Sequence, residues 1–390
     1  MFKILTLNHI AASGLARFPK ESYEAGNDIA EPDAILLRSA DLHAKPIADC
    51  VLAIGRAGAG VNNIPVVEMS KRGVPVFNAP GANANAVKEL VIAGMLLAAR
   101  NLPAALVFAQ SIAHEDDAHA RMEAEKKRFA GSELAGKTLG VVGLGAIGVR
   151  VANAAFSLGM RVAGFDPHMT VEGAWQLSSS VQRATSLEEL YGLCVYVSVH
   201  VPLNDATRGL FNASAVAASK PGLVLLNFAR EGIVDAAAVR AGLGSGKLGR
   251  YVCDFPAAEL AGHARVIALP HLGASTAEAE ENCAVMVADQ LREFLESGNV
   301  QQSVNFPNTR MPRAGHARIC IANANRPNMI GQLTHILGEA GFNIAQMHNA
   351  SRGELAYNLI DVDAVVPDSL VAGIQDIEGI LSVRVIAADA

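Results

Sequence analysis

The chain has 390 residues, of which 51% are hydrophobic and 18% charged, a composition that excludes extended disorder and predicts about two or three folded domains. Its net charge of −6 gives no electrostatic reason to expect a nucleic acid or an anionic membrane as partner, so an anionic substrate must be held by local arginines. The five cysteines form no CxxC pair, the amino terminus lacks the pattern of a signal peptide, and no segment is apolar enough to span a bilayer. We therefore expect a cytoplasmic protein with reduced thiols and without a metal site.

Residues 1–99 alternate short apolar runs with glycine-containing turns and helix-like stretches. This alternation is typical of a parallel α/β sheet. The helix after Asn85 is apolar on most faces, which predicts that it is buried between domains or subunits. A capping-box pattern at residues 275–278 begins a further helix that we expect to return to the first domain. The predicted first domain, which binds the substrate, therefore comprises residues 1–99 and 275–303.

A glycine motif in residues 100–274 follows an apolar strand and opens a helix. Gly143 permits the tight turn, Gly145 lets the backbone approach a pyrophosphate, and Gly148 lets helix and strand pack closely. Asp166 ends the next predicted strand, roughly 20 residues past the motif, where a carboxylate accepts hydrogen bonds from the ribose hydroxyls and repels a 2′-phosphate. With six predicted strands, this segment indicates a doubly wound domain that binds NAD rather than NADP.

The end of the chain predicts a third domain. Residues 304–315 are polar and contain prolines, which indicates a linker. Residues 316–390 follow the order βαββαβ of a ferredoxin-like module. The predicted fold class is therefore α/β, with two doubly wound, Rossmann-like parallel-sheet domains and a C-terminal ferredoxin-like domain.

Three side chains follow strands of the predicted NAD domain, at the sheet edge where the nicotinamide would lie. Oxidation of a hydroxy acid needs a base for the hydroxyl proton and a cation for the carboxylate. His271 suits the base, because imidazole exists in both protonation states near neutral pH. Glu259 would bind the other imidazole nitrogen, and Arg230 would hold the carboxylate with its planar guanidinium. Each residue taken alone is better explained as an ordinary loop or surface residue, so their joint placement carries this prediction.

Five motifs extend the pattern along the chain, at residues 54–60, 78–80, 199–202, 227–232 and 270–276. In order, they resemble the successive motifs of the D-isomer-specific 2-hydroxyacid dehydrogenases. The resemblance covers nearly the whole chain. It implies NAD-dependent oxidation of 3-phospho-D-glycerate to 3-phosphohydroxypyruvate, the first step of L-serine synthesis. It also places the catalytic arginine, glutamate and histidine of the family on the three residues identified above.

The resemblance further implies which residues contact each ligand. The expected cofactor-binding residues, including those of the glycine motif, are Gly143, Gly145, Ala146, Ile147, Gly148, Asp166, His200, Pro202, Thr207, Phe228, Ala229, Asp254 and Gly273. Asp254 is expected near the nicotinamide carboxamide. The expected substrate-binding residues are Arg38, Arg56, Ala57, Gly58, Asn78, Arg230 and His271. Of these, the first two arginines are expected to hold a phosphate or carboxylate.

The C-terminal module resembles the ACT regulatory domain, with Asn325 and Asn343 at amino-acid-binding positions and Asn323 near the place where serine-inhibited relatives carry a histidine. Two interpretations stay open: a site for an amino-acid effector such as L-serine, and a dimerisation module without a ligand. We expect a homodimer or homotetramer. Two other functions also stay open, namely reduction of another 2-oxo acid (glyoxylate, hydroxypyruvate or 2-oxoglutarate) and non-catalytic sensing of NAD. The complete catalytic set and the absence of a recognisable DNA-binding element stand against the second.

Overall fold

The computed structural model describes residues 1–387 and divides into two compact units. The first unit consists of Met1–Asn83 and Ala277–Ala390, and the second of Ala84–Thr276. This division differs from the predicted one at two places. The C-terminal module belongs to the same unit as the N-terminal segment, and the helix after residue 83 belongs with the nucleotide-binding segment.

The N-terminal part of the first unit is a parallel sheet of five strands. Its elements are β1 (Phe2–Leu7), α1 (Ala12–Leu15), β2 (Tyr23–Gly26), β3 (Ala34–Leu37), β4 (Ala53–Arg56), α2 (Val66–Lys71) and β5 (Val76–Phe77). The strand order is β2-β1-β3-β4-β5, with every pair parallel. The carboxyl ends of β3 and β4 therefore lie side by side at one edge of the sheet.

The second unit contains seven parallel strands. Its elements are α3 (Ala84–Ala99), α4 (Leu102–Ser111), α5 (Ala118–Glu125), β6 (Thr138–Val142), α6 (Ala146–Ser157), β7 (Arg161–Phe165), α7 (Val171–Gln176), β8 (Gln182–Arg183), α8 (Leu187–Leu193), β9 (Tyr196–Val199), α9 (Ala213–Ala218), β10 (Leu223–Asn227), α10 (Ala236–Ser245), β11 (Leu248–Cys253) and β12 (Val266–Ala268). The strand order is β8-β7-β6-β9-β10-β11-β12. Successive strands are added on one side of β6 up to β8 and on its other side from β9 onward, and sheets of this kind bind dinucleotides at the point between β6 and β9. The six predicted strands are present, and β8 is an additional strand.

Helices α3 and α4 are both apolar but differ in burial. Half of the 16 residues of α3 are buried, and the helix packs on α6 within its own unit. No residue of α4 is buried. In residues 1–387, no helix taken alone has the length and apolar composition of a membrane span; α3 and α4 satisfy the criterion only as a pair, bent by 67° at the break between them.

The remaining elements complete the first unit. They are α11 (Ala277–Ser297), β13 (Ala317–Ala324), α12 (Met329–Glu339), β14 (Ile344–Arg352), β15 (Leu355–Val362), α13 (Asp368–Gln375) and β16 (Ile380–Ala387). The antiparallel order β14-β15-β13-β16 is that of a ferredoxin-like module. The predicted fold class, two Rossmann-like parallel sheets and a ferredoxin-like C-terminal sheet, is confirmed.

A buried arginine attaches the C-terminal sheet to the rest of the first unit. Arg318 on β13 is 0% exposed and donates to both carboxylate oxygens of Asp361 on β15, at 2.6 and 2.9 Å. The same guanidinium donates to the carbonyl groups of Ser297, Met311 and Pro312 at 2.8 to 2.9 Å. Because each of these bonds satisfies a buried polar group, the module is fixed to the end of α11 and to the segment that follows it.

Helix α11 connects the two sheets of the first unit. A Cβ on Gly55 of β4 would lie 2.4 Å from Cγ1 of Val287, so the glycine is what allows the helix to lie against the parallel sheet. Near the carboxyl end of α11, Arg384 of β16 donates hydrogen bonds to the carbonyl groups of Phe294 and Leu295. A cation near the carboxyl end of a helix also interacts favourably with the helix dipole.

Candidate active site

The loop between β6 and α6 has the backbone geometry of a pyrophosphate site. Gly143 has a φ of +88°, and a Cβ on Gly148 would lie 1.9 Å from the carbonyl oxygen of Gly143, so neither position accepts a side chain. A Cβ on Gly145 would meet no atom within 4 Å, which leaves open space in front of α6. No side chain caps this end of α6, where Ala146 and Ile147 form the first turn. The helix amino end therefore fits an anionic pyrophosphate.

Asp166 lies directly after β7 and contacts the glycine loop. Its Oδ2 accepts a hydrogen bond from the N–H of Leu144 at 2.7 Å, and its Oδ1 accepts one from the N–H of His168 at 2.8 Å. Each carboxylate oxygen can accept a second bond, so the predicted contact with ribose hydroxyls is compatible with these two. Asp166 thus holds the glycine loop in place, a role that is not predicted from the sequence.

Three predicted cofactor residues, His200, Pro202 and Thr207, follow β9 on the other side of the switch point. A Cβ on Gly143 would lie 2.9 Å from the carbonyl of His200, so the two loops are in contact. Nε2 of His200 lies 2.8 Å from Oγ of Ser198, and Nδ1 is buried without a hydrogen-bond partner among the described residues. Burial lowers the pKa of His200 to about 3, so the ring is neutral at physiological pH. Oγ1 of Thr207 donates to the carbonyl of Pro202 at 2.5 Å and closes the loop.

His271 follows β12 with a φ of +57°, which is uncommon for a residue other than glycine. Asp254 directly follows β11, is 1% exposed and fixes this loop through three hydrogen bonds. Its carbonyl accepts the N–H of His271 at 3.1 Å, and its two carboxylate oxygens accept the N–H groups of Leu272 and Gly273 at 2.7 Å each. Hydrogen bonds to charged groups contribute about 1.5–3 kcal/mol each, which offsets the ~1–2 kcal/mol cost of a left-handed backbone. Asp254 therefore positions the histidine, and its contact with the nicotinamide stays a prediction.

Phe255 brings Arg230 and His271 together. Its ring centroid lies 4.4 Å from that of His271, with the planes inclined by 48°, and 5.6 Å from Cζ of Arg230. After β10, the buried Asn227 donates from Nδ2 to the carbonyl of Arg230 at 2.9 Å and accepts the N–H of Ala229 at 3.1 Å, which fixes this loop. One aromatic ring thus contacts both the predicted carboxylate-binding group and the predicted base. Phe255 is not predicted from the sequence, although it directly follows Asp254.

The predicted partner of the histidine, Glu259, is not joined to it. Glu259 lies with an exposed side chain in a 3-10 turn at Ala258–Leu260, and its backbone carbonyl accepts a hydrogen bond from Arg240. Within residues 1–387 its carboxylate makes no hydrogen bond or ion pair. The contact between Glu259 and His271 therefore stays a prediction that requires the two loops to approach each other. The predicted cofactor residue Phe228 is 4% exposed and packs in the core below the site.

The predicted substrate residues of the first unit lie at the carboxyl ends of β3 and β4. Nη2 of Arg38 donates to Oε1 of Glu280 on α11 at 2.7 Å, and the carbonyl of Arg38 accepts Nε of Arg56 at 2.9 Å. Nδ2 of Asn78 donates to the carbonyl of Ala59 at 2.6 Å and braces the loop that follows β4. That loop also contains the predicted residues Ala57 and Gly58. Two guanidinium groups thus lie at one sheet edge, and an anion would replace Glu280 to reach the first of them.

The three predicted regulatory asparagines lie in different environments. Asn323 is 1% exposed, and its Oδ1 accepts a hydrogen bond from Nδ2 of Asn358 at 2.7 Å inside the C-terminal sheet. Asn325 and Asn343 are exposed, and Nδ2 of Asn325 donates to the carbonyl of Gly353 at 3.0 Å. Only the two exposed asparagines are accessible to a dissolved amino acid.

Comparisons with known proteins agree with this geometry. Residues 94–273 match the NAD binding domain of the D-isomer specific 2-hydroxyacid dehydrogenases. The chain is 34% identical over 349 residues to D-3-phosphoglycerate dehydrogenase of Haemophilus influenzae, covering 86% of this chain and 81% of that protein. It is 34% identical over 329 residues to the enzyme of the same name from Escherichia coli K12, covering 81% and 76%. It also resembles the structure of NAD+-bound 3-phosphoglycerate dehydrogenase of Entamoeba histolytica, with 25% identity, a TM-score of 0.59, and coverage of 78% and 98%. The chain therefore belongs to the D-isomer-specific 2-hydroxyacid dehydrogenase family and is an NAD-dependent oxidoreductase, as its motifs predict.

Proposed function

We propose that the protein oxidises 3-phospho-D-glycerate to 3-phosphohydroxypyruvate with NAD, the first step of L-serine biosynthesis. The observation that carries the proposal is the contact of Arg230 and His271 with one ring, Phe255, at the carboxyl edge of the NAD-binding sheet. It is supported by relatives at 34% identity that are named D-3-phosphoglycerate dehydrogenase. The bound nicotinamide would supply the acceptor for the hydride from C2 of the substrate.

The side chains around Phe255 would perform the remaining chemistry. Arg230 would hold the substrate carboxylate through two parallel N–H donors, which fixes the orientation of the reacting carbon. An imidazole nitrogen of His271 would accept the proton of the C2 hydroxyl as the carbonyl forms. The neighbouring face of Phe255 would stabilise the resulting imidazolium. Glu259 would bind the second imidazole nitrogen once its turn approaches His271.

The phosphate end of the substrate would interact with the first unit. Because the net charge of the chain is −6, an anionic substrate gains nothing from the overall field and depends on local cations. Arg38 directly follows β3 and Arg56 ends the neighbouring strand β4, and Nε of Arg56 donates to the backbone carbonyl of Arg38, so both residues lie at one edge of the sheet. In this proposal the phosphate displaces Glu280 from Arg38.

A substrate panel tests the proposal. We expect 3-phospho-D-glycerate to be oxidised with NAD and poorly with NADP, and D-glycerate to be a weak substrate. Replacing Arg38 with Ala removes charge-assisted hydrogen bonds to the phosphate and should raise KM for the phosphorylated substrate about tenfold or more, and His271→Asn should abolish most turnover while NADH still binds. Equal rates with and without the phosphate would favour another 2-oxo or 2-hydroxy acid, such as glyoxylate, hydroxypyruvate or 2-oxoglutarate.

We also infer that the C-terminal module receives an amino-acid effector at Asn325 and Asn343, and that the chain acts as a homodimer or homotetramer in the cytoplasm. The exposure of both asparagines supports the first inference. The apolar helix α4, none of whose residues is buried, supports association. Rates measured with and without L-serine, and sedimentation of the intact protein, test the two inferences separately.

A further inference from the structure

A groove of about 710 Å³ runs along one face of α11 in the first unit. Three carboxylates line it, those of Glu281, Asp289 and Glu293, and no lysine or arginine does within the described part of the chain. The apolar side chains of Ala82, Val285 and Met286 form part of the same wall. The groove therefore combines negative charge with an apolar surface and has the volume of a small-molecule site.

The carboxylates are only partly neutralised by their neighbours. Arg17 pairs with Asp289 at 2.6 Å, but both side chains are more than 40% exposed, and such surface pairs contribute about 0–1 kcal/mol. Oε1 of Glu293 accepts Nδ2 of Asn299 at 2.6 Å, which leaves its charge in place. The carboxylate of Glu281 has no hydrogen-bond or ion-pair partner in residues 1–387. The groove therefore favours a cation.

Two buried polar atoms of the groove also lack a hydrogen bond. Gln290 is 8% exposed, and its Nε2 donates to Gln302 at 3.0 Å, whereas its Oε1 accepts no bond from any described residue. Oγ of Ser13, which lines the same groove, is also buried without a partner. A buried polar group without a partner costs about 1–3 kcal/mol. A ligand with N–H donors would recover this energy.

We propose that this groove binds a linear aliphatic polyamine. Its ammonium groups would pair with the carboxylates, and would donate to Oε1 of Gln290 once the buried amide turns toward the groove, while its methylene chain would lie on the apolar wall. Along α11, Asp289 and Glu293 are separated by about 6 Å, and Glu281 and Asp289 by about 12 Å, so the charges form a line. A free amino acid is a poorer fit, because the cation beside the groove, Arg17, is already paired with Asp289 and three carboxylates would repel the ligand's carboxylate. Within the described residues no three His, Cys, Asp or Glu side chains are placed to hold a metal ion.

Isothermal titration calorimetry of the full chain with spermidine tests the proposal, with hexanediol as the uncharged comparison. We expect saturable one-to-one binding of spermidine at low ionic strength and none of hexanediol. Glu281→Gln removes the unpaired charge and should weaken binding about threefold or more. Glu24→Gln removes an exposed carboxylate of the same unit outside the groove and should leave the affinity unchanged.

A second variant tests the buried amide. Gln290→Glu keeps the size of the side chain and makes the unpaired acceptor anionic, so we expect tighter binding of spermidine. If this variant does not fold, the spermidine affinities of Glu281→Gln and Glu24→Gln are sufficient to test the proposal. Equal weakening in both would mean diffuse electrostatic attraction and would overturn the proposal. So would the absence of saturable heat at about 1 mM spermidine, an affinity worth only about 4 kcal/mol.

Discussion

Replacing Asp254 with Asn would disturb the loop that carries the proposed base. Both carboxylate oxygens of Asp254 accept a backbone N–H, one from Leu272 and one from Gly273. Asparagine keeps one acceptor oxygen but turns an NH2 group toward the second N–H. One charge-assisted bond, worth about 1.5–3 kcal/mol, is lost, and a buried N–H is left without a partner. The lost bond and the unpaired N–H involve the same backbone group, so their costs are not simply added. We therefore expect the free energy of unfolding to fall by about 2–4 kcal/mol.

The same change should affect catalysis more than cofactor binding. His271 has a φ of +57°, and such a conformation persists only where its surroundings hold it. Once the loop relaxes, the imidazole moves away from the substrate hydroxyl, and a displacement of about 1 Å costs about 100-fold in rate. We therefore expect kcat to fall about 100-fold. The affinity for NADH should change less than about threefold, because the glycine loop and Asp166 are untouched.

A matched control is available in the same unit. Asp235 caps α10 and accepts the N–H groups of Ala237 and Ala238 at 2.9 and 3.1 Å, but with Oδ1 alone. Asparagine there can keep both bonds, so Asp235→Asn should leave stability and kcat unchanged. Urea denaturation, steady-state rates and NADH titration measure the three quantities. If Asp254→Asn weakened NADH binding and left the unfolding free energy at the wild-type value, the carboxylate would act on the cofactor and not on the loop that carries His271.

Three further changes test other parts of the molecule. Gly148→Ala places a Cβ 1.9 Å from the carbonyl oxygen of Gly143, so we expect a lower Tm together with loss of NADH binding, measured by thermal melting and fluorescence titration. The pKa of His200 is lowered from 6.5 to about 3, so as the pH falls between these values the unfolded chain takes up a proton that the folded chain does not. Folding should lose about 1.4 kcal/mol per pH unit there, and His200→Gln should remove that part of the slope in urea denaturation. Arg318→Met leaves the buried carboxylate of Asp361 unpaired and should lower the unfolding free energy by about 3–5 kcal/mol in the same assay.

Each of these has its own control. Gly145→Ala adds a Cβ where no atom lies within 4 Å, so it should leave Tm unchanged and weaken only NADH binding; a loss of Tm equal to that of Gly148→Ala would contradict the steric argument. His168→Gln changes an exposed histidine of the same unit, and an equal loss of pH dependence there would rule out His200 as the cause. Asp361→Leu combined with Arg318→Met removes both charges and should restore part of the stability; no restoration would show that the arginine acts chiefly through its other bonds.

Sequence prediction succeeded where a pattern requires one local conformation. The glycine motif is such a case, because the φ of Gly143 and the close approach at Gly148 admit no side chain. The βαββαβ order of the C-terminal module is another, since the hydrophobic period changes clearly between its strands and helices. The strand β8 was missed because Gln182–Arg183 is short, polar and exposed, and therefore carries no apolar pattern.

The contacts of the site that the sequence did not predict join segments that are distant along the chain. Asp254 meets the N–H groups of residues 18 and 19 positions further along the chain, and Phe255 meets His271 across the ends of two strands. No local pattern records which side chains meet at a sheet edge. The position of Glu259 depends in addition on how its turn approaches His271, which local periodicity does not determine.

Helix α11 joins the parallel sheet and the ferredoxin-like sheet of the first unit. It has 21 residues and is about 31 Å long. Arg384 and Arg318 donate hydrogen bonds to carbonyl groups at its carboxyl end, and Glu280 near its amino end accepts one from Arg38. A helix is stiff along its axis, so a displacement of the ferredoxin-like sheet would be transmitted along α11 to the edge of the parallel sheet where Glu280 contacts Arg38. In the proposed function, an effector bound to the C-terminal module would therefore change the strength of the Glu280–Arg38 ion pair, and with it the ease with which the substrate phosphate displaces Glu280.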